Sequence, residues 1–184
     1  MEAAQLIALI AFLAVAAFVI VGVRRAGGVL ARTREAETFR GDVADLARRV
    51  EVSLAAVSDR VDGVRRGAAD AETIGPNLAA ALDAVERYGA EARALNGPRE
   101  AGAARSGLID EIDRAGRALA MVEHGVVVRA RGRRLEAGAE AETAIKRGYL
   151  NLLHAREAIA RHAGDAIELA EQASPVRRFG RRSV

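Results

Sequence analysis

The sequence predicts an all-α protein, in which one N-terminal transmembrane helix precedes an antiparallel helical bundle or coiled coil of three to four helices. Three observations lead to this fold class. The first is an uncharged apolar run over residues 3–23. The second is the recurrence of apolar residues every three or four positions downstream, which is typical of amphipathic helices. The third is the composition, which is dominated by small and helix-forming residues, with only 3% aromatic residues and no Cys.

The apolar run has the length of one membrane span. Its 21 residues would form a helix of about 31 Å, close to the roughly 30 Å hydrocarbon core of a bilayer. A cleaved signal peptide would need a basic start and a small-residue cleavage site. The chain instead starts Met1-Glu2, and Arg24-Arg25 follows the run. We therefore expect residues 1–25 to be a retained anchor of a single-pass protein.

The flanking charges predict the orientation of the anchor. Four arginines precede the first acidic residue of the body, Glu35, whereas the N-terminal flank has none. The positive-inside rule then places the N-terminus outside and the body in the cytoplasm. The excess of arginine over lysine is typical of a GC-rich bacterial genome, so the expected location is the bacterial inner membrane. Residues 26–34 are expected to form a basic juxtamembrane linker, made flexible by Gly27 and Gly28.

The body is acidic between basic ends. Residues 35–173 contain 20 basic and 24 acidic residues, and the tail, residues 174–184, adds four arginines. Clustered arginines beside a bilayer attract anionic headgroups, and Phe179 could insert at the interface. The residues expected to contact lipid or another polyanion are Arg24, Arg25, Arg177, Arg178, Phe179, Arg181 and Arg182.

A heptad repeat follows the linker, within the predicted helical bundle domain of residues 35–173. Valines recur at positions 43, 50, 57 and 64, and leucines or valines lie between them. We call these residues the valine stripe. β-branched residues at this spacing favour a parallel two-stranded coil, so the stripe is a candidate interaction face for a protein partner or for a second copy in a parallel dimer. The alternative is that it packs inside its own bundle. Its members are Val43, Leu46, Val50, Leu54, Val57, Val61 and Val64.

Turn signals divide the rest of the body into three further helices. Two glycines and Pro76 predict a turn over residues 65–76, after which a second helix runs to Asn96-Gly97-Pro98. A third helix is expected from Arg99 to about Ala130. A fourth runs from Leu135 to Ala173 and stops at Ser174-Pro175. The turn near Gly132 is less distinct, and one continuous helix through this point is the alternative.

Four antiparallel helices would return the tail to the side of the anchor. The same alternation gathers arginines at the opposite end, where residues 129–134 contain four arginines among six positions. This cluster is the predicted distal basic patch, and it consists of Arg129, Arg131, Arg133 and Arg134.

No sequence motif indicates catalysis, a cofactor or a metal. His154, Glu157 and His162 can share one side of a helix, but the acidic residues that a di-iron bundle needs on other helices are missing. Phosphate-binding glycine motifs and nucleophile motifs are not recognisable. The sequence therefore predicts a non-enzymatic membrane-anchored scaffold whose basic ends contact anionic lipid. Nonspecific nucleic-acid binding by a tethered protein is the alternative, because phosphate contact needs only positive charge.

Overall fold

The computed structural model describes the backbone of residues 2–131 and 135–174, and the side chains of 18, 27, 28, 30–71, 73–131 and 138–174. Within these ranges the fold is all-helical, with four α-helices, two short 3-10 turns and no strand, so the predicted all-α helical bundle is confirmed. The helices are α1 (Glu2–Arg65), α2 (Gly75–Ala94), α3 (Gly102–Arg131) and α4 (Leu135–Ala173).

Helix α1 is continuous over 64 residues, including the segment 26–34 where the sequence predicted a flexible linker. Gly27 and Gly28 are helical and exposed. Glycine weakens a helix interior by about 1 kcal/mol relative to alanine but does not break it. Ala36 is the first buried residue of α1 among those whose side chains are described, and residues 30–35 before it are exposed or half-buried.

The turn after α1 is built around Gly67, which has a φ of +72°. The Gly67 N–H donates to the Val64 carbonyl at 3.1 Å, and the Ala68 N–H donates to the Gly63 carbonyl at 2.8 Å. This pair of bonds is the Schellman motif, in which a left-handed residue satisfies the last carbonyls of a helix. Ala71 and Ile74 then enter the core, so the connection is folded against the bundle.

The connection between α2 and α3 ends α2 by a change of backbone conformation. Leu95 has a ψ of 124°, which stops the helix, and Pro98 then starts the 3-10 turn Arg99–Ala101 that leads into α3. The Arg105 guanidinium donates to the Leu95 carbonyl. These features agree with the helix boundary that Asn96-Gly97-Pro98 predicted.

Pairs of contacting residues show that sequential helices are antiparallel. Arg49 of α1 bonds Glu91 of α2, whereas Arg60, farther along α1, bonds Asn77, at the start of α2. A Cβ at Gly125 of α3 would contact Ile145 of α4, and one at Gly107 would contact His162. Helix α4 also packs antiparallel on α1, which closes the four helices into a ring.

One hydrophobic core runs through the bundle and consists largely of alanine, valine and leucine. Phe39 is the largest side chain in it. The valine-rich α1 and the alanine-rich α3 and α4 favour close helix approach, while each small side chain removes little apolar area from water. This composition makes the geometry of individual helix pairs important for stability.

Candidate interaction surfaces

The valine stripe lies in the core. All seven of its residues are no more than 3% exposed. The alternative that the stripe packs inside its own bundle therefore describes this fold, and in this conformation a partner has no access to the stripe. The heptad spacing gave the correct face of α1 but could not distinguish a partner in another chain from one in the same chain.

The first external candidate is the near end of the bundle, where α1 enters it. The end of α4, the α2–α3 connection and α1 meet here around a cleft of about 480 Å3. The cleft combines two arginines with two glutamates, so its charge is balanced. Its lining residues are Arg32, Glu35, Ala36, Gly97, Pro98, Arg99, Glu100 and Ala173.

The predicted lipid-contact residues connect to this near end but lie outside the described side chains. The backbone of Arg24 and Arg25 belongs to α1, and the tail follows Ser174, which lines a smaller cleft with Thr33 and Arg40. The two chain segments that carry the predicted contacts therefore leave the bundle at the same end. Residues 175–184 themselves are outside the part of the chain that the structure describes.

The far end of the bundle holds the described half of the distal basic patch. Arg129 and Arg131 lie in the last turn of α3 and are exposed. Neither forms an ion pair with another described residue. Arg133 and Arg134 fall outside the described residues. Two cations beside a helix C-terminus are favourable for the helix dipole and also available to an anionic partner.

Arg65 and Arg66, at the same end, already have intramolecular partners. Both bond Asp62, with Arg65 Nη2 at 2.7 Å and Arg66 Nη2 at 2.9 Å. Hydrogen bonds from Arg65 and the charge of Arg66, with a further bond from Tyr149, hold the pKa of Asp62 below its ordinary value. The Arg65 guanidinium also lies 5.2 Å from the centre of the Tyr149 ring. Arg65 and Asp62 therefore join α1 to Tyr149 of α4, whereas Arg66 bonds only Asp62.

A polar cluster joins α1 to α2, and the sequence reasoning did not identify it. Arg49 bonds both oxygens of Glu91, one at 3.0 Å, and also bonds Asp45 at 2.8 Å. Its guanidinium lies 5.6 Å from the centre of the Tyr88 ring. The Tyr88 hydroxyl is 2.9 Å from the Ser53 hydroxyl. We call Asp45, Arg49, Ser53, Tyr88 and Glu91 the α1–α2 polar seam.

Charge pairing in this seam shifts two ionisation equilibria. Hydrogen bonds from Arg48 and then from Arg49 lower the pKa of Asp45. The bond to Glu91, followed by that to Asp45, raises the pKa of Arg49, in spite of an opposing desolvation effect. The participating side chains remain 36–49% exposed. Each ion pair is therefore accessible to salt and individually weak.

Neither a metal site nor a membrane span is found among the described residues. No group of three potential ligands could hold a metal ion there, and His154 and Glu157 are exposed on α4. Over the described residues, no helix is long and apolar enough to cross a membrane. The predicted span, residues 3–23, lies outside the described side chains apart from Phe18, which is 81% exposed. The anchor accordingly stays a prediction.

Comparison with known proteins gives no relative: no family model, no curated protein and no solved structure matches the chain.

Proposed function

We propose that this protein is a non-enzymatic, single-pass scaffold of the bacterial inner membrane, with its N-terminus outside and a cytoplasmic helical bundle whose basic ends contact anionic lipid. The observation that carries the proposal is the continuity of α1 from Glu2 into the core. The same helix that contains the uncharged run of residues 3–23 also supplies the buried stripe of the bundle.

The geometry of the near end supports contact between the tail and the membrane. If the span ends at Val23, Ala36 lies about 20 Å farther along α1 at 1.5 Å per residue. The ten residues after Ser174 could extend over about 33 Å. A tail that leaves the bundle beside Ala36 is therefore long enough to return to the headgroups, where Arg24 and Arg25 would already lie.

A scaffold also needs an external face for its protein partner. Since the valine stripe is buried, the available surfaces are the near-end cleft, the exposed arginines of the far end and the polar outer faces of the helices. The ion-pair density on these faces favours a polar contact rather than a hydrophobic one. A second copy anchored in the same membrane would present the same faces at the same height.

The mobility of the tail in nanodiscs tests the lipid part of the proposal. The full chain is reconstituted into nanodiscs, and its tail is compared with that of a variant in which Arg177, Arg178, Arg181 and Arg182 are changed to Gln. We expect spin labels in the tail to be immobilised by discs that contain phosphatidylglycerol and released in phosphatidylcholine discs or at high salt. Equal mobility in both discs, or equal immobilisation of the Gln variant, would contradict lipid contact through charge.

Photocrosslinking tests the scaffold part of the proposal. A photoreactive residue is placed at exposed positions of the full-length protein in cells, with a position in the valine stripe as the buried control. One dominant captured partner, or a second copy, at an exposed position but not at Val50 would support the scaffold. Capture of lipid alone at every position would contradict the scaffold proposal.

The exposed Arg129 and Arg131 favour nucleic-acid binding as a second candidate. Phosphate contact predicts an affinity that falls steeply between about 50 and 200 mM salt. Changing both arginines to Gln should then weaken binding of DNA of any sequence and reduce the slope against salt. If neither the salt concentration nor the two substitutions alters the affinity, nucleic-acid binding by the far end is excluded.

A further inference from the structure

The four helices are not equally well held in the bundle, and α2 has the smallest share of the core. Its 20 residues bury only five positions, three of which are alanine or glycine. Leu78 and Val85 are its two large buried side chains. By contrast, α3 buries nine positions, including Leu108, Ile112 and Leu119. Leu82 and Tyr88 are only partly buried against the same core, so α2 contributes less apolar area to the core than α3 does.

Polar contacts replace the missing apolar area on both sides of α2. Toward α1 it is held by the polar seam and by the bond between Arg60 and Asn77. Toward α3 it is held by Arg93, which bonds both oxygens of Asp113 at 2.8 and 2.6 Å. These ion pairs are partly exposed, and dissolved salt weakens such pairs.

Non-helical connections bound α2 at both ends, and the buried residues that flank it, Ile74 and Leu95, would have to leave the core together with it. Gly67 adopts a left-handed conformation before it, and the non-helical residues 95–98 follow it. The other three helices keep their contacts without α2, because α4 packs on both α1 and α3. The Arg156–Glu51 pair and the stacking of Arg65 on Tyr149 both join α1 directly to α4.

We infer that α2 is a releasable cover, which opens as a unit while α1, α3 and α4 stay packed. Opening withdraws Leu78 and Val85 from the shared core and uncovers part of the valine stripe. The stripe is thus a surface whose access is controlled by the polar seam. High ionic strength, or a polyanion that competes for Arg49, would favour the open form. This inference concerns the bundle alone and does not depend on the proposed membrane function.

Hydrogen exchange of the full-length protein in nanodiscs tests the inference. Amides near the middle of α2 are compared with those of α3 and α4, in the native protein and in Arg49→Met. The matched control is Arg156→Met, because it removes an arginine that joins α1 to α4 instead. We expect α2 to exchange about fivefold faster in Arg49→Met, with α3 and α4 unchanged, which is the upper range for an exposed ion pair.

The salt dependence of exchange tests whether ion pairs keep α2 closed, and two other outcomes would contradict the inference. Raising salt from 50 to 500 mM should accelerate α2 selectively in the native protein and have a smaller effect in Arg49→Met. If α2 exchanges at the same rate as α3 and α4 under all conditions, the bundle opens only globally and the inference is wrong. Equal acceleration of α2 by Arg156→Met would also overturn it. Tyr88→Phe, a milder change in the same seam, gives the same comparison should Arg49→Met fail to fold.

Discussion

The contact between α3 and α4 and the contact between α1 and α2 differ in the kind of side chain that forms them. Glycines and alanines bring α3 and α4 close together, so that a Cβ at Gly148 would lie 2.9 Å from the Ala118 carbonyl oxygen. The α1–α2 seam instead consists of an arginine, two acids and two hydroxyls. Close packing excludes water and depends little on salt, whereas exposed ion pairs depend on it strongly. We therefore expect salt to weaken the α1–α2 contact more than the α3–α4 contact.

The largest expected effect comes from removing a core side chain on the α3 side of the bundle. Leu119 is fully buried, and Leu119→Ala should lower the free energy of unfolding by about 3 kcal/mol, through lost burial and a cavity. Chemical denaturation followed by circular dichroism measures the loss. Leu150 is 45% exposed on α4, so Leu150→Ala should change stability by less than about 0.5 kcal/mol. Similar losses for both variants would contradict the assigned core.

The close approach itself is tested by Gly148→Ala. The added Cβ would lie 2.6 Å from Val122 Cγ2, and relief of this overlap should cost about 2 kcal/mol. Nothing lies within 4 Å of a Cβ at Gly164 on the same helix. Gly164→Ala should therefore stabilise the protein by about 0.5–1 kcal/mol through helix propensity. The midpoint of thermal unfolding measures both effects. A shift of the midpoint in the same direction for both variants would contradict the close approach at Gly148.

A smaller effect is expected from the hydroxyl pair of the α1–α2 seam. Tyr88→Phe removes its hydrogen bond to Ser53 and should cost about 0.5–1 kcal/mol. A double-mutant cycle with Ser53→Ala isolates the pair, and the coupling energy should be positive and at most about 1 kcal/mol. Additive effects of the two changes would show that the hydroxyls are bonded to water instead.

The smallest effect is the pH dependence of stability that an ion-paired carboxylate contributes. The pKa of Asp62 is lowered in the folded protein from an ordinary value of 3.8. A lowered pKa stabilises the fold above the unfolded value, and this contribution is lost as the pH falls through the folded pKa. We expect Asp62→Asn to flatten the loss of stability below about pH 4, as measured by denaturant melts. Asp59→Asn, at an exposed position of the same helix, is the matched control for the loss of one carboxylate.

Local patterns in the sequence were sufficient to predict the helices but not the contacts between residues of different helices. Pro76, Gly97-Pro98 and Ser174 mark helix boundaries because backbone geometry depends on neighbouring residues. The period of seven in α1 identified its buried face for the same reason. The bond between Arg49 and Glu91 depends on how two helices are aligned, and nothing in the local sequence encodes that alignment.

Two features of the glycines were also beyond local reasoning. Gly148 interrupts a good helix-forming segment, and a glycine there has an energetic cost that suggests a packing role. Its partners on α3, however, follow only from the antiparallel alignment of the two helices. Gly27 and Gly28 indicated a flexible linker, yet α1 continues through them. Because helix formation is cooperative, the helical residues on both sides can keep a long helix continuous through two glycines.

The unbroken course of α1 has a mechanical consequence. A flexible joint would let the bundle tumble independently of a membrane-embedded segment, whereas a single helix transmits rotation and axial displacement along its length. If residues 3–23 are held in a bilayer, a turn of that segment by 100° would rotate the buried face of α1 by the same angle, the step of one residue in a helix. The orientation of the bundle would then follow the rotation of the anchoring segment about its axis. Its distance from the membrane would follow the position of that segment along the axis.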